Sequence, residues 1–360
     1  MRIGILSYPM LFQREGGVQS QIRDTISALN GLGSYQGQSL SVHALDPHCV
    51  NFDSLDLVHV FSATDGKAGI VDACAEQGVP VVLTPLISPG WNRASATLGQ
   101  TMARHPGQGA SLRARSGYLQ TRRALQCAQM VVVLGEAERQ ALSANFQIDP
   151  SIVRVFPNGV ANRFFTAGSE QFRMRTGIFG AFVLMTGAIS PYRNQLGMAQ
   201  ALSQLALPCV IVGDALERDQ DYLRQLRAVR GVTILGALHH DGVMLASAYA
   251  AASVFALPSQ AEVYPVAVLE ALAAGTPVVM TGATSLALED SQFALKKVRW
   301  DDSTAQKRAV IGLIGEAPSR MRVQQLVRQY TWDRVASQIA CAYAEALASA
   351  RGSAPVAAAA

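Results

Sequence analysis

Residues 258–280 read PSQAEVYPVAVLEALAAGTPVVM, and the reading of this stretch decides the fold. Pro258, Ser259 and Gln260 mark a loop. Pro265 suits the first turn of a helix, where a missing N–H costs nothing. Gly275 supplies a left-handed stop, and Pro277 opens an apolar run of the kind found in a buried strand. The spacing therefore predicts loop, short helix, turn and strand. Val266, Val268, Leu269, Leu272 and Ala273 wrap most of that helix in apolar side chains, so it should be buried nearly all round. Glutamate is rarely buried without a partner. Glu270, in the middle of this helix, must face a cleft or bond something the chain does not supply.

The same alternation runs along the whole chain of 360 residues. RIGIL, SVHAL, LVHVF, PVVLT and MVVVL read as a first set of short buried strands. FVLMTG, PCVIVG, VTILG, SVFALP and PVVMTG read as a second set. Strands apolar on both faces, separated by helical segments, belong to parallel sheets covered on both sides. Two sets imply two doubly wound α/β domains. The expected organisation is a first domain over 1–160, a second over 161–328, a closing helix over 329–348 and a disordered low-complexity tail over 349–360.

Apolar residues make up 49% of the sequence and charged residues 16%, which suits large buried sheets. No apolar run is long enough to suggest a membrane span, and the start MRIGILSYPMLF reads as a first strand, not a cleaved leader. Cys49, Cys74, Cys127, Cys209 and Cys341 are odd in number and scattered, so reduced thiols in a cytoplasmic protein are expected. A net charge of +4 is too small to argue for nucleic acid. Its distribution is uneven. Between Gln77 and Gly135 there is no acid, while Arg93, Arg104, Arg113, Arg115, Arg122 and Arg123 all fall there. That suits an anionic acceptor or membrane surface, or else arginines that are individually solvated or paired with acids elsewhere.

In a doubly wound sheet, ligands bind beyond the carboxyl ends of the strands and near helix N-termini. Gly16 and Gly17 precede a helical pattern after the first strand, where backbone can approach a ligand. The helix beginning near Tyr264 would offer unpaired amides to an anion. Arg193 and Asn194 stand at the start of another helix, where a guanidinium could clamp a diphosphate. His59 is placed at a strand end by the cleft edge, with ligand contact and structural capping equally open. Asp219 and Asp221 spell Asp-x-Asp, but their charged surroundings read as a solvated helix. His239 and His240 lack a third ligand and read as a polar loop.

PSQAEVYPVAVLEALAAGTPVV closely resembles the paired-glutamate motif of retaining glycosyltransferases of family 4, which have the GT-B fold. The resemblance continues through Gly16-Gly17, DLVHVFS, VFPNGV, YRNQ, VIVGD and TWDRVASQIACAY. It implies two Rossmann-like domains, with the closing helix crossing back to the first. It implies transfer of a sugar, with retention and without a metal or other cofactor, from a nucleotide-diphosphate sugar to a glycan or lipid-linked acceptor. Such an enzyme would be cytoplasmic, or peripheral on the inner face of the cell membrane, in polysaccharide or glycolipid synthesis. Under the resemblance Glu270 would take the ribose hydroxyls and Glu262 those of the transferred sugar. Arg193, the Gly17 loop and the amides near Tyr264 and Val266 would hold the diphosphate, with Asn194 beside them. Backbone near Leu238 would contact the base, and His59 and Arg93 would lie on the acceptor side. Two departures stand out: Ala188 replaces one of the family's phosphate-binding cations, and Leu86 stands where histidine is frequent. Alternatives within the fold are a nucleotide-sugar epimerase and a phosphorylase. Outside catalysis the alternative is a non-catalytic partner subunit.

Overall fold

The computed structural model describes residues 1–7, 17–46, 50–63, 68–88 and 112–352. Gly16, Arg93 and the tail beyond 352 lie outside the described residues. The chain divides into two compact units. The first comprises Met1–Leu11, Ile22–Pro157 and Asp333–Ala360, and the second Phe12–Gln21 and Asn158–Trp332.

The first unit holds β1 (Arg2–Leu6), a small antiparallel hairpin β2 (Ser34–Tyr35) and β3 (Gln38–Ser39), then β4 (Ser41–Ala44), β5 (Leu57–Phe61), β6 (Val81–Thr84), β7 (Met130–Val133) and β8 (Val153–Val155). Its six-stranded sheet runs β4-β1-β5-β6-β7-β8, parallel throughout. Every residue of β5, β6 and β7 is buried, which is why these strands carry no polar alternation. The exception is informative. His59 of β5 is fully buried, its Nδ1 2.8 Å from the Tyr343 hydroxyl and its Nε2 2.8 Å from Thr84 Oγ1. Burial pushes its pKa down to about 3, so the ring is neutral. Tyr343 belongs to the helix Trp332–Gly352, which also pairs Glu345 with Arg154 at 2.7 Å. His59 therefore fastens this late helix to the sheet. With both ring nitrogens engaged inside the core, it has no free edge for an acceptor.

A second buried polar joint lies at the carboxyl end of the same sheet. Glu138, in the helix Glu136–Phe146, accepts the Ile87 amide on Oε1 and the Leu134 amide on Oε2, each at 2.8 Å. Between Thr84 and Ile87 the chain passes through Leu86 at φ +55°, a strained conformation for a branched side chain. Burial raises the Glu138 carboxyl to about 7, while the two amides pull it back.

The second unit contains β9 (Val183–Thr186), β10 (Cys209–Val212), β11 (Val232–Ile234), β12 (Val254–Leu257), β13 (Val278–Thr281) and β14 (Leu295–Val298). The order β11-β10-β9-β12-β13-β14, parallel throughout, reverses direction between β9 and β12. This is the doubly wound order, and its reversal point is where such sheets bind ligands. Both sheets agree with the α/β class expected from the strand pattern. β14 and β8 were not among the expected strands. LKKV carries two lysines on the outer strand of its sheet, and VRV is only partly buried, so neither shows an apolar run.

A candidate sugar-nucleotide site in the second unit

The opening stretch folds as the spacing predicts. Pro265 caps the helix Val266–Ala273, seven of whose eight residues are buried. Gly275 follows at φ +78°, where a Cβ would also strike Arg320 Cγ at 1.9 Å, so this stop needs glycine on two counts. Glu270 is 4% exposed, on the side of the helix that lines a cavity of about 480 Å³. The cavity opens at the carboxyl ends of β9, β10 and β12, the reversal point of the sheet. Its size is typical of small-molecule sites.

Three elements converge on it. The first is the turn after β9, with Thr186, Gly187 and Ala188. Gly187 sits at φ +110°, and a Cβ on Gly213 would lie 2.0 Å from its carbonyl oxygen. Two glycines let the turns after β9 and β10 touch, and they leave backbone instead of side chain at the cavity wall. The second element is the first turn of Val266–Ala273, whose amides lack intrahelical partners by position. The third is the loop from β11, with Leu238 and His240 on the wall. Gly17 and Ser20, which group with this unit, line the same cavity.

Arg193 and Glu262 meet here as an ion pair, with side chains only 27% and 13% exposed. Arg193 also lies 3.3 Å from Ser259 Oγ. Across the cavity, His240 Nδ1 stands 3.5 Å from Glu270 Oε1, both side chains almost wholly enclosed. His240 lies in the loop after β11, as its neighbourhood suggests, but it is buried there and not solvated. Phe164 and the ring of Tyr249 enclose the same corner. The Tyr249 hydroxyl is 3.0 Å from Thr186 Oγ1, and burial, then the nearby Glu270 carboxylate, raise its pKa well above the usual value.

Of the expected residues, Glu262, Glu270, Arg193, Gly17, Leu238 and Val266 come together on this wall. Asn194 does not. Its left-handed backbone, φ +52°, turns its side-chain amide onto the Trp300 carbonyl at 2.6 Å. Tyr264 is buried just behind the wall, and its carbonyl accepts the Asn158 side-chain amide at 2.9 Å. Asp221 pairs with Arg224 at an exposed helix start, whereas Asp219, which pairs with Arg218, has a side chain only 12% exposed. Asp214, another wall residue, accepts the Ala237 amide at 3.2 Å. Thr186, Tyr249, Asp214 and Asn158 were not singled out from the sequence, because their roles depend on contacts far along the chain.

The comparisons with known proteins bear on family and fold. Residues 181–329 match the family described as Glycosyl transferases group 1, and residues 51–159 match the Glycosyl transferase 4-like domain. A D-inositol 3-phosphate glycosyltransferase of Stackebrandtia nassauensis is 29% identical over 234 residues, covering 59% of this chain and 53% of that protein. The chain thus spans about half the length of the curated relatives it matches. Among solved structures, sucrose-phosphate synthase from Thermosynechococcus elongatus superimposes with a TM-score of 0.72 at 17% identity, over 97% of this chain and 99% of that one. Anabaena HepE (Alr3699), solved in complex with UDP, gives a TM-score of 0.71 at 17% identity, over 96% and 100%. At that identity the structural likeness carries the fold alone.

Proposed function

We propose that this chain, which has the GT-B fold and matches glycosyltransferase families in both units, is a family-4-like glycosyltransferase that moves a sugar from a nucleotide-diphosphate donor to a glycan or lipid-linked acceptor. The observation that carries the reading is the cavity at the β9/β12 reversal, where Arg193, Glu262, Glu270 and the start of Val266–Ala273 share one wall. In the proposed arrangement Glu270 accepts the two ribose hydroxyls, and Leu238 backbone lies against the base. The diphosphate rests on Arg193, the Gly17 backbone and the first amides of the Val266 helix. Glu262, already beside Arg193, takes a hydroxyl of the sugar.

The chemistry follows from where charge grows. As the glycosidic C–O bond breaks, negative charge accumulates on the leaving phosphate. A guanidinium and fixed amides, already aimed there, stabilise that charge without reorganising. Ala188 supplies no charge, so Arg193 carries the cationic share on this wall. The proposal keeps retention of configuration and independence of metal, both following from the family resemblance. It also places the enzyme in the cytoplasm, peripheral to an anionic membrane face. Among the described residues no helix is long and apolar enough to cross a membrane.

The deciding experiment is calorimetry with a panel of nucleoside diphosphates and their sugars, followed by transfer assays with the sugar that binds. Product anomeric configuration by NMR and activity in excess chelator test retention and metal independence. Failure of every nucleotide to bind would remove the reading.

A further inference from the structure

A second cavity, of about 740 Å³, lies away from the site above, along the outer strand of the same sheet. All four residues of β14 line it. One wall is the helix Ser303–Gly315, through Ala305, Arg308, Ala309 and Gly312, and the other is the segment around Leu288 and Ser291. β14 pairs with β13 on one side, and among the described residues no strand pairs with its other side. The groove floor is therefore a strand edge with no partner strand, flanked by two walls, on which the Leu295 amide already donates to the Ser291 carbonyl at 2.7 Å.

Its charge is one-sided. Lys296, Lys297 and Arg308 line the groove, and no acid does. Among the described residues the ion pairs engage many arginines, yet none of these three cations. Lys297, the one exposed residue of β14, turns its ammonium onto the Leu286 carbonyl. The cations are also ordered by face. Val298 packs against the core cluster that includes Val310 and Leu313 of the flanking helix. Successive residues alternate faces in a strand, so Lys296 shares the Val298 side with Arg308, and Lys297 points to the opposite side with Leu295.

From this geometry we propose that the groove is a docking site for an extended acidic peptide of a partner protein, which adds as a further strand to the free edge of β14. Backbone N–H and C=O groups of the peptide pair with the open edge. An acid on one face of the peptide meets Lys296 and Arg308, and an acid on the other meets Lys297. Lysines on an outer strand also discourage like copies from pairing edge to edge. That effect disfavours a second copy of this chain as occupant. It does not account for Arg308, which stands on the helix wall and not on the edge.

The test uses the full chain and a fluorescein-labelled peptide of eight residues in which pairs of glutamates alternate with pairs of valines, so that acids fall on both faces of the strand, read by polarisation. The expected result is saturable binding, weakened at least tenfold both by N-methylation of alternate peptide amides and by the double variant Lys296→Glu, Arg308→Glu. Both side chains reach solvent, and an unchanged melting temperature would show that the variant folds. No binding, equal binding of the N-methylated peptide, or equal binding by the double variant would each overturn strand addition here. Binding of dodecyl phosphate that is lost in the double variant, with no peptide binding, would instead assign the groove to an anionic lipid. None of these readouts depends on sugar transfer.

Discussion

Asn158 and Tyr264 are 106 residues apart in sequence, yet the side-chain amide of one donates to the carbonyl of the other at 2.9 Å, both residues buried. The bond ties the first residue of the long segment Asn158–Trp332 to the peptide that precedes Pro265 and the Val266 helix. Next to it, Val160 donates to the Tyr330 carbonyl at 2.7 Å, and Gly159 approaches Trp332 so closely that a Cβ would meet its ring at 2.5 Å. The entry and exit of the second unit are stitched together beneath the cavity wall.

Asn158→Asp keeps the shape but replaces the donating amide by a carboxylate facing a carbonyl. The wall around Val266 should loosen, and nucleoside diphosphate affinity should fall about tenfold, the equivalent of one lost hydrogen bond. Calorimetry on the folded variant checks this. Unchanged affinity would mean that the Tyr264 carbonyl needs no anchor.

Glu270→Gln should weaken nucleotide binding roughly ten- to a hundredfold, because bonds to a charged acceptor contribute about 1.5–3 kcal/mol. A structural role would instead lower the melting temperature and leave affinity alone. Glu262→Gln should keep nucleoside diphosphate binding while cutting transfer, since its proposed contact is with the sugar.

Arg193→Ala removes the cation on the phosphate side of the wall and leaves Glu262 without its ion-pair partner. Affinity for a nucleoside diphosphate should drop by about 1.5–3 kcal/mol, with a smaller loss for the nucleoside. Equal losses for both ligands would show that the arginine does not read phosphate.

The Glu138 carboxyl sits at about 7 in the folded chain, raised by burial above its ordinary 4.5. Its folded state binds the proton more tightly, so the stability linked to it is present below about 4.5 and lost as pH rises through about 7. Against a Glu138→Gln reference, urea unfolding should show the parent losing up to about 3 kcal/mol across that window. A pH-independent difference between the two proteins would refute the linkage.

His59 works in the opposite direction. Its folded pKa, about 3, is depressed, so its contribution is complete above about 6.5 and lost as pH falls toward 3. Tyr343→Phe would leave the His59 Nδ1 without its partner and should cost about 1–3 kcal/mol at neutral pH.

Much of the scaffold was legible because its strands are buried on both faces and announce themselves as apolar runs. The Val266 helix was readable from Pro265 and Gly275, whose backbone limits act locally. β14 was hidden because two lysines on an outer strand erase the apolar signal. Asn194 was placed on the site from its neighbourhood, but a positive φ, which the sequence does not display, sends its side chain to Trp300. His59, His240 and Tyr249 illustrate the wider limit. Each is defined by a partner between 25 and 284 residues away, and periodicity reports only on which face a residue lies.

The joint between His59 and Tyr343 has a consequence for the order of events on the ribosome. The second unit is finished at Trp332, but the first still lacks the helix that covers His59. Domains ordinarily complete in order of synthesis, at about 5–20 residues per second. Here the earlier domain must wait through the whole of Asn158–Trp332, roughly 10–35 s at that rate. Throughout that interval the His59 imidazole of the nascent chain has no Tyr343 hydroxyl to bond.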